Sequence, residues 1–312
     1  MHYTVLAGGT GAAKFLRGLI QVLPQEEIHV IVNVGDDAEM WGLHISPDID
    51  TILYALSDRL DPVKGWGLRN DTYRCLETAA QYGLPTWFQL GDADLATHIA
   101  RSEMLRHMSL ADATAKLAEF MTVRAMVMPA TNDRLRTRIE TASGLLDFQE
   151  FFVKERSQPD VRAIHYSGAA EARPLAVAVQ SIREAQLVIL APSNPITSIG
   201  PMLAIHGLRD ALRCTRAEVV AISPIIGSHA VSGPAGKLME AAGFEVSPAG
   251  VARCYHDFLD NLVIHTTDAA MASAIRNETI GVQVTDIMMS HPPADARKLA
   301  QFVVDENRTS PR

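Results

Sequence analysis

With 312 residues, 47% of them apolar and 21% charged, the chain has ample material for a buried core. A net charge of −8 with no basic stripe excludes a protein that binds nucleic acid by neutralising its phosphates, so a chain of this sign that handles phosphate needs local cations or a metal at the site. Cys75, Cys214 and Cys254 form no C-x-x-C pair and exclude a disulfide framework or cysteine zinc site; with no basic leader and no apolar run of membrane length, a cytoplasmic protein with no membrane partner is expected.

The chain opens on a strand from Tyr3 that runs into Gly8-Gly9-Thr10-Gly11 and then a helix. A helix N-terminus behind bare glycine N–H groups suits an anion, usually phosphate. Lys14 stands where a dinucleotide fingerprint needs its third small residue, and no G-K-[ST] follows. The turn is thus read as phosphate-handling without an NAD or ATP signature; a plain βα turn is the alternative. A second strand, Ile28 to Val32, is closed by Asn33-Val34-Gly35-Asp36-Asp37. An acid there binds a ribose hydroxyl in Rossmann-like sheets, and the same pair also suits a turn and cap. Ser46-Pro47-Asp48-Ile49-Asp50-Thr51 has the chemistry of a helix start, with Ser46 as N-cap and Pro47 at N1. It also offers Asp48 and Asp50 as hard oxygen ligands for Mg²⁺.

Asn70 to Tyr82 and Leu95 to His107 look helical. Asp92, Asp94 and His98 lie before and on the second of these, as helix-capping and packed residues or as site candidates. Ser109 with Asp112 opens a further helix through Met121. Arg124 to Met128 reads as a strand, and Leu135 to Thr141 with Leu145 to Val153 alternate as a hairpin would. Three more buried-type strands follow at Gln186–Leu190, Glu218–Ile222 and Leu262–His265. The turn from Ala191 to Gly200, stiffened by Pro192 and Pro195, carries Ser193, Asn194, Thr197 and Ser198 as a neutral phosphate cradle or a capped turn. Ser223 to Gly227 and Val231 to Lys237 repeat the theme, with Lys237 as a point cation for phosphate. No Ser–His–Asp or Cys–His set supports covalent catalysis.

The expected architecture is α/β: a Rossmann-like, mostly parallel sheet with helices on both faces and a mixed α+β insertion capping the strand ends. Residues 1–57 and 172–306 form the core, 58–171 the inserted capping subdomain that forms the acceptor pocket, and 307–312 a disordered tail.

Assembled in order over nearly the whole chain, these pieces resemble the 2-phospho-lactate transferase family of coenzyme F420 biosynthesis, the CofD and FbiA proteins. The matching segments are Gly8–Gly11, Asn33–Asp37, Ser46–Thr51, Gly65-Trp66-Gly67, Asn70-Asp71-Thr72, Leu90-Gly91-Asp92, Ala96-Thr97-His98, Phe148-Gln149, Ala191–Gly200 and Ser223–Gly227. The resemblance implies an enzyme that moves an organic-acid phosphate (phospholactyl, phosphoenolpyruvyl or 3-phosphoglyceryl) from a guanosine diphospho donor to the ribityl hydroxyl of the deazaflavin Fo, releasing GMP with Mg²⁺ assisting. It implies Asp48 and Asp50 as metal or acceptor-binding acids. Gly8, Gly9, Thr10, Gly11, Lys14, Asp36, Asp37, Gln89, Asp92, His98, Ser193, Asn194 and Ser198 would form the substrate-binding set. It also implies a homodimer. Ala93 stands where relatives commonly carry Arg. Asp50→Asn is expected to abolish transfer and leave the fold intact. The rivals are an NAD(P)-dependent oxidoreductase on the same fold, against which Lys14 argues, and a non-catalytic nucleotide-sensing regulator.

Overall fold

In chain order the strands are β1 (Tyr3–Ala7), β2 (Ile28–Val32), β3 (Ala38–Met40), β4 (Leu43–Ile45), β5 (Met126–Pro129), β6 (Arg136–Thr141), β7 (Gly144–Asp147), β8 (Val161–Ser167), β9 (Leu187–Leu190), β10 (Glu218–Ile222), β11 (Ile225–Ile226), β12 (His229–Ala230), β13 (Asn261–His265) and β14 (Gly281–Thr285). These come from a computed structural model that describes residues 2–276 and 280–307. Seven of the strands form one parallel sheet in the order β14-β13-β10-β9-β1-β2-β5. β1, β9 and β10 are buried at every position, which is what unbroken β-branched and leucine runs require when helices cover both faces.

The chain order sets where a ligand goes. From β1 the sheet grows through β2 to β5, then the chain returns to the other side of β1 as β9 and grows through β10, β13 and β14. The turns after β1 and β9 therefore leave adjacent strands toward opposite sides and open a crevice at the carboxyl ends. Into it come helix α1 (Gly9–Leu19) and helix α2 (Pro47–Leu56), followed by α3 (Arg74–Gln81), α4 (Asp92–Met104) and α5 (Leu110–Phe120) over the strand ends.

All five core strands expected from sequence are present, but the expected domain split is not clean. The strand near Arg124–Met128, assigned to the insertion, is β5 and completes the main sheet against β2 in parallel. Its partner is almost a hundred residues earlier in the chain, so no local pattern marks it as core. Part of the middle region, β7-β6-β8, forms an antiparallel sheet of its own, whereas α4 and α5 pack against α2, β4 and β5. The second hairpin strand stops at Asp147 rather than reaching Val153. Phe148 and Phe151 are both buried, and their spacing of three favours the helical turn at Glu150–Lys154 over an alternating strand. α3 begins later than expected because Asp92 accepts hydrogen bonds from the Thr72 hydroxyl and the backbone N–H groups of Arg74 and Cys75. Asn307, assigned to a disordered tail, is buried, donates to the Val303 carbonyl at 2.7 Å and accepts from Gln283 at 2.7 Å. Residues 308–312 lie outside the described residues. Among the described residues no helix is long and apolar enough to cross a membrane.

α1 packs against the C-terminal helix Ala294–Glu306 through Gly18, where a Cβ would collide with the backbone of Ala296 and Arg297. Backbone cannot rotate away as a side chain can. Gly18→Ala is therefore expected to destabilise the fold by about 1–3 kcal/mol, the usual cost of overpacking. Urea denaturation checks this, and an unchanged midpoint would contradict the contact.

Candidate active site

The crevice is a cavity of about 590 Å³. Its walls include Gly8, Gly9, Thr10, Gly11, Lys14, Asp36, Asp48, Asp50, Gln89, His98, Ser193, Asn194 and Ser198, so most of the residues expected from sequence are brought together. Asp37 and Asp92 are not among the lining residues.

Asp48 is the junction. Its Oδ1 accepts the Gly9 N–H at 2.7 Å and its Oδ2 accepts the Asn33 side-chain amide at 2.9 Å. Asn33 also accepts the Gly35 N–H at 2.8 Å. One carboxylate thus ties the first turn, the end of β2 and the start of α2. The approach is so close that a Cβ on Gly8 would lie 2.8 Å from both Asp48 Oδ2 and Ser198 Cβ, so only glycine fits there. The first-turn N–H groups of Thr10 and Gly11 have no intrahelical carbonyl and remain for a ligand. Ser46 is the N-cap of α2 with Pro47 at N1, as expected, but its hydroxyl caps no backbone N–H and donates to Asp37 Oδ2 at 3.1 Å.

Burial raises the Asp48 carboxyl to about 6, even though Asn33 and Gly9 donate to it; Asp37 adds to the rise. Asp36 is pushed well above the usual carboxylate range, first by burial and then by the charge of Asp48. Its Oδ1 is buried with no hydrogen-bond partner among the described residues. Two neighbouring buried carboxyls on the cavity wall, with an orphaned oxygen and an excess of negative charge, have the donor set of a hard divalent cation.

Asp50, expected from sequence as a metal or acceptor-binding acid, lines the cavity and is engaged by a protein cation. Both its oxygens accept from the guanidinium of Arg101, which is fully buried. Beside this pair His98 Nδ1 lies 3.5 Å from Asp50 and His98 Nε2 3.3 Å from Asp94, while the Tyr54 hydroxyl donates to Asp94 at 2.7 Å. Asp50, Asp94 and His98 have donor atoms close enough together to hold an ion. The buried guanidinium supplies positive charge there, while His98 Nε2 and Arg101 Nε remain buried without a hydrogen-bond partner among the described residues.

Other expectations are corrected in the same way. Asp37 sits behind the wall, with Oδ2 2.9 Å from His44 Nε2. Asp92 holds the start of α3, as described above. Lys237 donates to the carbonyls of Ser157 and Gln158 and does not line the cavity. Asn194 spends its carbonyl oxygen on the N–H groups of Ile196 and Thr197, whereas the buried Ser193 hydroxyl has no partner among the described residues and is available to a ligand. Ala93 is exposed and away from the cavity. Lys14 lines the cavity and makes no ion pair among the described residues. Lys64 is held at the wall by the Tyr73 hydroxyl at 2.8 Å, with the Trp66 ring centroid 5.4 Å away.

Sequence reasoning missed Arg101 and the structural use of Asp94 and Tyr54. The Asp94–His98 spacing of four was a visible signal; the Asp50–Arg101 pair, 51 residues apart, had none. The cavity lining also includes the apolar side chains of Trp66, Phe88, Phe148, Phe152, Met288 and Met289.

A doubly wound sheet with a glycine turn, two acids lacking a cationic partner among the described residues and aromatic side chains around one cavity makes this an α/β protein with a ligand-sized cleft at its strand ends. Comparison with known proteins is more specific. The family model described as "2-phospho-L-lactate transferase CofD" matches residues 3–298, and the chain belongs to that family. It is 42% identical over 301 residues to the 2-phospho-L-lactate transferase of Methanosarcina mazei, covering 96% of this chain and 98% of that one. It is 37% identical over 308 residues to the phosphoenolpyruvate transferase of Streptomyces griseus, covering 96% and 97%. Among solved structures, a member of the UPF0052 family from Bacillus halodurans superposes with a TM-score of 0.64 over 97% of this chain and 98% of that one; at 18% identity this concerns the fold alone. The chain is thus an enzyme of the transferase class.

Two outcomes follow from the charges. Asp50→Asn leaves a buried guanidinium without its counter-charge and is expected to destabilise the fold by about 3–5 kcal/mol rather than leave it intact; urea denaturation of Asp50→Asn and of Asp50→Asn/Arg101→Met reads this, with the double variant recovering part of the loss. The second concerns pH. The native carboxyl of Asp48 near 6 exceeds its ordinary 3.8, so the native state binds more protons between those values. Metal-free protein is therefore expected to lose stability as pH rises from about 4 to about 6, with no further change from Asp48 above that. A thermal melt series in EDTA checks it: the slope should flatten in Asp48→Asn, and an identical slope would contradict the assignment.

Proposed function

We propose that this chain transfers a phospho-organic-acid group (phospholactyl, phosphoenolpyruvyl or 3-phosphoglyceryl) from a guanosine diphospho donor to the ribityl hydroxyl of the deazaflavin Fo, with release of GMP. The observation that carries this reading is the mixed polar and aromatic lining of one cavity. Its lining combines Thr10, Gly11, Lys14, Ser193, Asp36 and Asp48, suited to a diphosphate, with aromatic and methionine side chains suited to a flat ring system. Membership of a family whose relatives bear lactate and phosphoenolpyruvate names supports the reaction type.

In this reading the N–H groups of Thr10 and Gly11, the Ser193 hydroxyl and Lys14 bind the diphosphate and hold it in line with the acceptor. Asp36 and Asp48 would hold Mg²⁺, which when bound offsets charge on the diphosphate. The acceptor oxygen bonds to the phosphorus that bears the organic acid, and the bond from that phosphorus to the GMP oxygen breaks. The hydroxyl proton is released to solvent, since phosphoryl transfer asks little of a protein base. Trp66, Phe88 and Phe148 orient the ring and exclude water from the reacting end. Asp50 positions His98 and Asp94 on the cavity wall through Arg101.

Incubation with Fo, Mg²⁺ and each candidate guanylylated acid, followed by mass analysis, tests the reaction; no mass gain with any donor would sink it. Asp36→Asn is expected to lower kcat/KM by about 100-fold or more without loss of thermal stability, because it removes a buried carboxylate that lacks a counter-charge. Near-normal turnover by that variant would remove Asp36 from the site.

A further inference from the structure

A second polar cavity, of about 260 Å³, lies on the three-stranded sheet and shares no lining residue with the first. Arg134, Arg136 and Arg138 fall at alternate positions along and just before β6, so they belong to one face. That face is the outer one, since Leu135, Thr137, Ile139 and Thr141 on the other are buried. The three arginines line the cavity together with Asp147, Ser167 and Gly168. Only Arg138 is neutralised there, through a 2.8 Å bond from Nε to Asp147 Oδ1. Arg134 and Arg136 make no ion pair among the described residues; the one hydrogen bond given for the Arg136 guanidinium goes to the Leu135 carbonyl at 2.7 Å. Arg136 is half-buried, and burial disfavours its charge. The charges of Asp37, Asp147 and Asp36 oppose that effect, while neighbouring Arg134 reinforces it.

Two guanidinium groups held side by side over a concave floor repel one another, and partial burial strengthens the repulsion by excluding water. A surface arginine with no partner normally extends into solvent; here two are turned to the same hollow beside a serine hydroxyl. We propose that this cavity is a second anion site, which binds a dianionic phosphate group, either free phosphate or a small phosphate monoester. Two charges match the two unpaired cations, and guanidinium forks meet phosphate oxygens in a bidentate fashion that lysine cannot supply. The Ser167 hydroxyl is placed to add a neutral donor. Asp147 accepts from Arg138 and makes no ion pair with Arg134 or Arg136 among the described residues, although its charge also reaches Arg136.

The test is titration calorimetry of the full chain with inorganic phosphate and, separately, with glycerol 3-phosphate, in the wild type and in Arg134→Gln and Arg136→Gln. Any binding in the larger cavity is common to all three proteins and cancels in the comparison. Affinity is expected to fall about tenfold, about 1.4 kcal/mol, in both variants at unchanged melting temperature. A tungstate-soaked crystal should give an anomalous peak between the two guanidiniums. Tighter binding of glycerol 3-phosphate marks a monoester as the occupant, and tighter binding of inorganic phosphate marks the free ion. Arg134 is exposed and has no partner to lose, so its variant remains informative should Arg136→Gln misfold. Equal affinity in all three proteins would overturn the proposal. So would a peak at crystal concentration without binding in solution, meaning an adventitious ion only, or a sedimentation change in the variants showing that these arginines pair with acids of a second copy.

Discussion

The site depends on one carboxylate that is oversubscribed. Asp48 accepts from the first turn of α1 and from the amide at the end of β2 while sitting on the first turn of α2, so three segments meet on two oxygen atoms. The meeting is possible because Gly8 has no side chain to hold them apart. Hydrogen bonds to an ionised acceptor are the strong ones, and here they compete with burial that disfavours the charge. The result is a carboxyl that remains available to a cation although it is fully engaged with the protein.

Charge is distributed in the cavity by use rather than by count. Arg101, the most deeply buried cation nearby, is spent on Asp50 and stiffens the wall that carries His98 and Asp94. Lys14 faces the cavity unpaired, Lys64 is held between Tyr73 and Trp66 at its wall, and Asp36 has an oxygen without a partner. A protein of net charge −8 thereby lines this cavity with one unpaired lysine and two acids that have no cationic partner among the described residues. The same reasoning separates Asp36 from Asp37: adjacent in sequence, one faces the cavity and the other faces His44 and Ser46.

Much of this was legible in the residues. The strand–glycine–helix opening, the buried β-branched runs and the proline-stiffened turn after Leu190 are short-range signals, and each lies where it was expected. The Ser109 cap, which accepts from Asp112 N–H, was likewise readable from four residues. The failures share a different cause. Asp92 looks like a site acid because it follows a glycine near a helix start, yet it serves the helix before it in sequence. Lys237 looks like a phosphate cation, yet it tethers a loop some 80 residues earlier.

What the sequence determined by itself is therefore the α/β class, the strands beside the crevice and the chemical character of the turns, because hydrophobic period and turn chemistry act over a few residues. Only the tertiary structure decided that Met126–Pro129 belongs to the main sheet, that Asp50 is answered by Arg101 and that Asp36 comes close enough to Asp48 for its charge to be felt. Those outcomes are set by strand pairing, burial and partner availability across many tens of residues. Two aspartates with the same local pattern differ only in what the rest of the chain brings to them.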